Sequence, residues 1–151
     1  MLTFEDKLNI SKMTFYDGAQ IQSNVFTTIA EYQVTTADKV RFWGYTEEIS
    51  PTQVLLGKIK AVIKDAESNE VDSDAIVRLV VMNNSKNKTY EVARFRYGDI
   101  NNTAKDLPVK VPGALPFSYL AVQVALSGGA SAFTVSKANS SLDISTTVVQ
   151  D

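Results

Sequence analysis

Two short stretches of this 151-residue chain concentrate side chains able to do chemistry. In the first, Asp65, Glu67, Asn69, Glu70, Asp72 and Asp74 gather hard oxygen donors in one loop, the ligand class that calcium prefers. Asp65, Glu67 and Asn69 have the alternating spacing of an EF-hand loop, but Glu70 stands where glycine is needed and Ile76 where the bidentate glutamate belongs. The run therefore reads as a solvated hairpin loop without a metal, and chelators are expected to leave the melting temperature unchanged. In the second, Arg94 and Arg96 interleave with Phe95 and Tyr97 behind Lys86 and Lys88, an order that can grip a phosphate backbone and stack bases. A strand with aromatics inward and arginines outward has the same order. With a net charge of -2 the chain has no overall attraction for nucleic acid, and none is expected as a partner.

The chain contains no histidine and no cysteine, which removes the Ser-His-Asp arrangement, the imidazole base, the thiolate nucleophile and the usual zinc ligands. Paired carboxylates for glycoside cleavage remain open, but spacing along a sequence does not reveal two acids that converge in space. The expectation is no enzyme, no cofactor and no metal. No apolar run approaches the ~20 residues of a membrane helix. The start, with Glu5 and Asp6 and no apolar stretch behind basic residues, does not read as a secretory leader, so either a product made in the cytoplasm or a mature chain whose leader is missing is expected. The lack of cysteine is compatible with either redox compartment.

Two strand faces have the composition of an interaction surface. Val40, Phe42 and Gly44 share one parity, which leaves Arg41, Trp43 and Tyr45 on the other, and this second face suits subunit contact or stacking on sugar. Between residues 75 and 82 both parities are apolar: Ala75, Val77, Leu79 and Val81 on one, Ile76, Val80 and Met82 on the other, interrupted by Arg78. Such a strand is either covered twice within its own fold or covered by another subunit. The expected interaction surface therefore comprises Arg41, Trp43, Tyr45, Ile76, Val80 and Met82.

The elements that carry these residues are strands. Period-two alternation recurs from Thr27 to Val149, the signature of an all-β, antiparallel β-sandwich. Ile59, Ala61 and Ile63 alternate with Lys58, Lys60 and Lys64, which turns three lysines to one side and an apolar set to a core. Residues 27–34 and 39–47 read as a hairpin around Thr36-Ala37-Asp38. Later strands fall at 75–82, 88–97, 119–126, 131–137 and 142–149. In 88–97, Tyr90 and Val92 have one parity and Phe95 and Tyr97 the other; a β-bulge near Ala93 would bring all four to the same face, and the alternative is a strand whose second face packs on something outside the domain. Residues 98–116, with Pro108, Pro112 and Pro116, read as a long functional connection. About eight strands result, with an extra one at 12–16, as in a jelly roll. Residues 1–12 read as an N-terminal arm and 13–151 as a single domain; the arm is expected to be mobile alone and to order against a neighbour.

A polar arm, about eight alternating strands and a long proline-rich connection together resemble the small β-sandwich and jelly-roll decoration, or cement, proteins of tailed-virus capsids. The residues carrying this resemblance are Ala30–Val34 with the turn into Lys39–Trp43, and the span from Ile59 through Tyr97. It implies a structural virion protein, a minor capsid component that binds a major capsid protein or another repetitive shell as a homo-oligomer, usually a trimer, with no catalytic residues. Two other readings stand beside it: a carbohydrate-binding sandwich using Trp43 and Tyr45, and a tail or fibre subunit.

Overall fold

A computed structural model describes residues 2–9, 14–33, 53–55, 57–106, 109–111, 119–128 and 132–150. Alternation becomes pairing in thirteen strands: β1 (Leu2–Asn9), β2 (Thr14–Phe15), β3 (Gln20–Ile21), β4 (Thr27–Gln33), β5 (Gln53–Leu55), β6 (Gly57–Val62), β7 (Ile76–Met82), β8 (Thr89–Arg96), β9 (Lys105–Asp106), β10 (Val109–Val111), β11 (Tyr119–Ala125), β12 (Phe133–Thr134) and β13 (Ser141–Gln150). The only helix among the described residues is the single turn α1 (Tyr97–Ile100).

One sheet has the order β1-β13-β6-β9 and the other β2-β4-β11-β7-β8, with two small pairs, β10-β5 and β12-β3, at their margins. Every ladder is antiparallel. Following β1, β4, β6, β7, β8, β9, β11 and β13 along the chain reveals the wrap. The first of these pairs with the last, the second with the seventh, the third with the sixth and the fourth with the fifth. A long antiparallel ribbon rolled up in this way is a jelly roll, so the chain has an all-β, jelly-roll-like sandwich.

The core lies between the two sheets because one parity of each strand is apolar. Ile59 and Ala61 of β6 and Leu142 of β13 meet Ile29, Val77, Leu79, Val81, Leu120, Val122 and Val124 of the other sheet in one buried cluster. Lys58, on the opposite parity of β6, is exposed, as its alternation requires. A bulge lies between Leu79 and Val80: Leu79 is opposite Ala93, Val80 is opposite Glu91, and Val92 is the extra residue. The one-residue shift places Tyr90 opposite Val81 and Phe95 opposite Val77, on one side of the ladder, as the mixed parity of 88–97 requires. A second bulge, between Val122 and Gln123, lets both Ile29 and Ala30 enter the core from β4.

Tyr97 ties the sheets together. It leaves β8 through α1 and is buried, and its hydroxyl accepts a hydrogen bond from the Ile63 backbone N–H (3.0 Å), just beyond β6, while donating to Asn101 Oδ1 (3.1 Å). Burial raises its pKa above the ordinary tyrosine value despite the Ile63 bond.

Two expectations change. Residues 2–9, within the arm read at 1–12, form β1 and pair with β13 over their whole length. The alternating Leu2, Phe4 and Leu8 are the strand signal, interrupted by Asp6. The connection read at 98–116 holds most of α1 and the short strands β9 and β10. The hairpin partner read at 39–47 lies outside the described residues.

Candidate interaction surface

The sheet β2-β4-β11-β7-β8 carries the densest constellation of polar and aromatic side chains on the side away from the core. Register sets it up: Thr28, Gln123, Arg78 and Arg94 stand side by side on β4, β11, β7 and β8. Two arginines directly opposite each other repel unless something neutralises them. Glu91, displaced to their neighbourhood by the bulge, does so. Arg94 holds it through two nitrogens (3.1 and 2.8 Å), and Arg78 approaches the same carboxylate at 3.4 Å. Arg78 Nε also donates to Gln123 Oε1 (2.9 Å), and Gln123 Nε2 to Thr28 Oγ1 (3.1 Å), so the chain of bonds crosses four strands. The Phe26 ring lies under the row, 3.8 Å from the Arg78 guanidinium and 5.4 Å from that of Arg94, a cation–π arrangement.

A second clamp lies further along the same sheet. The β7–β8 hairpin is fixed by Asn83, which donates to Asn87 Oδ1 and accepts the Lys88 N–H, and it turns through Lys86 at φ 59, a left-handed conformation. That turn puts Lys86 Nζ 2.7 Å from Glu31 Oε1 and 4.5 Å from the centre of the Tyr119 ring. Burial works to raise the Glu31 pKa, but hydrogen bonds from Lys86 and Tyr16 outweigh it and hold the carboxyl below its ordinary value. Glu91 is likewise held low, first by its hydrogen bond from Arg94. Both displaced carboxylates are thus kept ionised, the opposite of what a general acid at neutral pH needs.

Between the clamps lie Val80, Met82 and Ala121, buried and packed with Tyr119. On the outward face of β7, Val80 and Met82 are thus covered within the chain itself, while Ile76 and Arg78 keep partial exposure. Of the three β7 residues expected on an open surface, Val80 and Met82 are closed off and Ile76 alone keeps partial exposure. Arg41, Trp43 and Tyr45 lie outside the described residues.

The two stretches singled out for their chemistry resolve into structural roles. Arg96 binds Asp74 (2.9 Å) and Asp99 (3.4 Å), so both arginines of the phosphate-binding pattern already hold carboxylates. In the acidic loop, Asp65 Oδ1 accepts the N–H groups of Glu67 and Asn69 and closes the turn. No group of three or more acids poised for a metal occurs among the described residues. A cleft of about 590 Å³ lies beside this loop, with Asp17, Glu67, Phe133 and Ser136 in its walls; Asp17 accepts the Lys137 N–H there.

The clamps were missed by reading along the chain because most of their bonds cross between strands, and Glu91 reaches Arg94 only through the bulge. Their one trace in the sequence is a polar residue inside each of two apolar runs, Arg78 in β7 and Gln123 in β11, which register makes neighbours.

The roll can be compared with known structures. One chain of the VP16-VP17 complex, a complex of the two major capsid proteins of bacteriophage P23-77, matches 97% of this chain over 98% of its own length, with a TM-score of 0.53 and 10% sequence identity. The fold is similar to that of a phage capsid protein. No protein-family model and no curated protein matches the sequence.

Proposed function

We propose that this chain is a structural virion protein, a capsid component that binds a repetitive protein shell as an oligomer. The observation that carries this reading is the end-to-end correspondence of the jelly roll with a chain from a complex of two major capsid proteins, which accounts for nearly every residue of both. The outward face of β2-β4-β11-β7-β8 agrees with such a role. Its charged groups are held in ion pairs and its aromatic rings are held by cations, which suits a rigid protein–protein contact in which few groups must be reordered. Burial contributes about 25 cal/mol per Å² of apolar area, and many identical copies on one shell multiply a modest contact.

Within this reading the chain is a decoration protein on the outside of a shell. The description of the P23-77 proteins as major capsid proteins favours a second arrangement, in which the chain is itself a shell-building subunit. Particles purified with and without the protein separate the two. A decoration protein leaves an intact but less heat-resistant shell when absent, whereas loss of a shell-building subunit abolishes the particle. Unchanged particle stability combined with glycan-array binding that depends on Trp43 would refute both in favour of a carbohydrate-binding module.

A further inference from the structure

We infer that β1 is a docking edge for a second copy of this chain, joined antiparallel to the β1 of its partner so that the β1-β13-β6-β9 sheets of the two copies become continuous. The inference is independent of the virion reading. It starts from the position of β1, an eight-residue strand at the margin of its sheet, with β13 as its single partner among the described residues. The far side of such an edge presents backbone N–H and C=O groups that another strand can satisfy.

Charge on an edge strand ordinarily blunts this pairing, so the order of the charges decides the matter. Within the chain, Glu5, Asp6 and Lys7 are in register with Thr147, Thr146 and Ser145, none of which carries a charge. The complement that β13 does not offer is supplied by β1 itself, run in reverse. With Asp6 of one copy opposite Asp6 of the other, Glu5 falls opposite Lys7 twice and Phe4 opposite Leu8 twice. Opposite charges and apolar pairs directly across a ladder both stabilise it, and the like-charged pair is confined to the two-fold axis. A two-fold axis permits only slides of two residues, which place Glu5 opposite Glu5 and Phe4 opposite Asp6 in one direction, and Lys7 opposite Lys7 and Asp6 opposite Leu8 in the other. A two-fold contact of this kind is closed, giving a dimer rather than a fibre.

Sedimentation of the full-length protein over a wide concentration range tests the inference. The wild type is expected to pass from monomer to dimer. Glu5→Lys and Lys7→Glu, which oppose like charges, should each weaken the dimer by about tenfold or more, and the double variant should restore it. Because the chain has no cysteine, Asp6→Cys supplies a single thiol on the axis and should oxidise to a covalent dimer. Asn9→Cys should not, since in this register the two copies of position 9 lie about 20 Å apart. A wild type that stays monomeric, a dimer indifferent to both charge reversals, or equal cross-linking at positions 6 and 9 would each overturn the inference.

Discussion

Glu91 shows how one side chain sets the electrostatics of a sheet face. Its carboxylate joins Arg78 to Arg94, two cations that the β7–β8 register places opposite each other. Glu91→Gln should therefore cost about 0.5–1 kcal/mol at neutral pH in urea titration, a small figure because the pair is partly exposed. Glu31 and Glu91 both have folded pKa values below their ordinary ones, so their contribution is complete above the usual glutamate range and is lost as pH falls through the folded values. The wild-type protein should accordingly lose stability on acidification, and the deficit of Glu91→Gln should shrink toward zero where wild-type Glu91 is protonated. Tyr97→Phe tests a buried group instead. It strands the Ile63 N–H, and should cost about 1–3 kcal/mol with the fold retained. Neither partnership was legible in the sequence, where Glu91 and Tyr97 are ordinary members of an alternating stretch: Arg94 shares the side of Glu91 only through the bulge, and Arg78 and Ile63 lie far away along the chain.

At the scale of elements, alternation located the strands well because each buries one parity and a one-residue slip would invert it. The bulge in β8 was legible from the clash of parity between Tyr90 and Phe95. What alternation did not supply was the partner of each strand. β1 passed for an arm because Asp6 breaks its apolar period, although β13 extends over all of it. The exit from β8 was equally hidden. There Gly98 donates its N–H to Ser73 O at 2.9 Å, and a Cβ at this position would lie 3.1 Å from Arg96 Nη1, 3.2 Å from Ser73 Cβ and 3.3 Å from Ser73 O. Gly98→Val should push α1 off that loop and destabilise the domain by about 1–3 kcal/mol, visible as a lower melting temperature with an unchanged far-ultraviolet circular dichroism spectrum. A spectrum that becomes helical in either protein would contradict the sandwich itself.

For the whole molecule, the class of fold was readable because the absence of helical periodicity and the spacing of turns left few ways to pack so many short strands. The wrap, β1 with β13, β4 with β11, β6 with β9 and β7 with β8, came only with the register. Function is a step further from the residues, since it rests on what the outward faces meet. The proposed role makes this chain a repeated structural component of a virion. Quantitative mass spectrometry of density-purified particles from the source of this sequence tests it most directly. That role predicts that the protein travels with the particles through the gradient at many copies each, in fixed proportion to the other shell proteins. Its absence from purified particles, or a trace amount that washes away without altering them, would contradict that role.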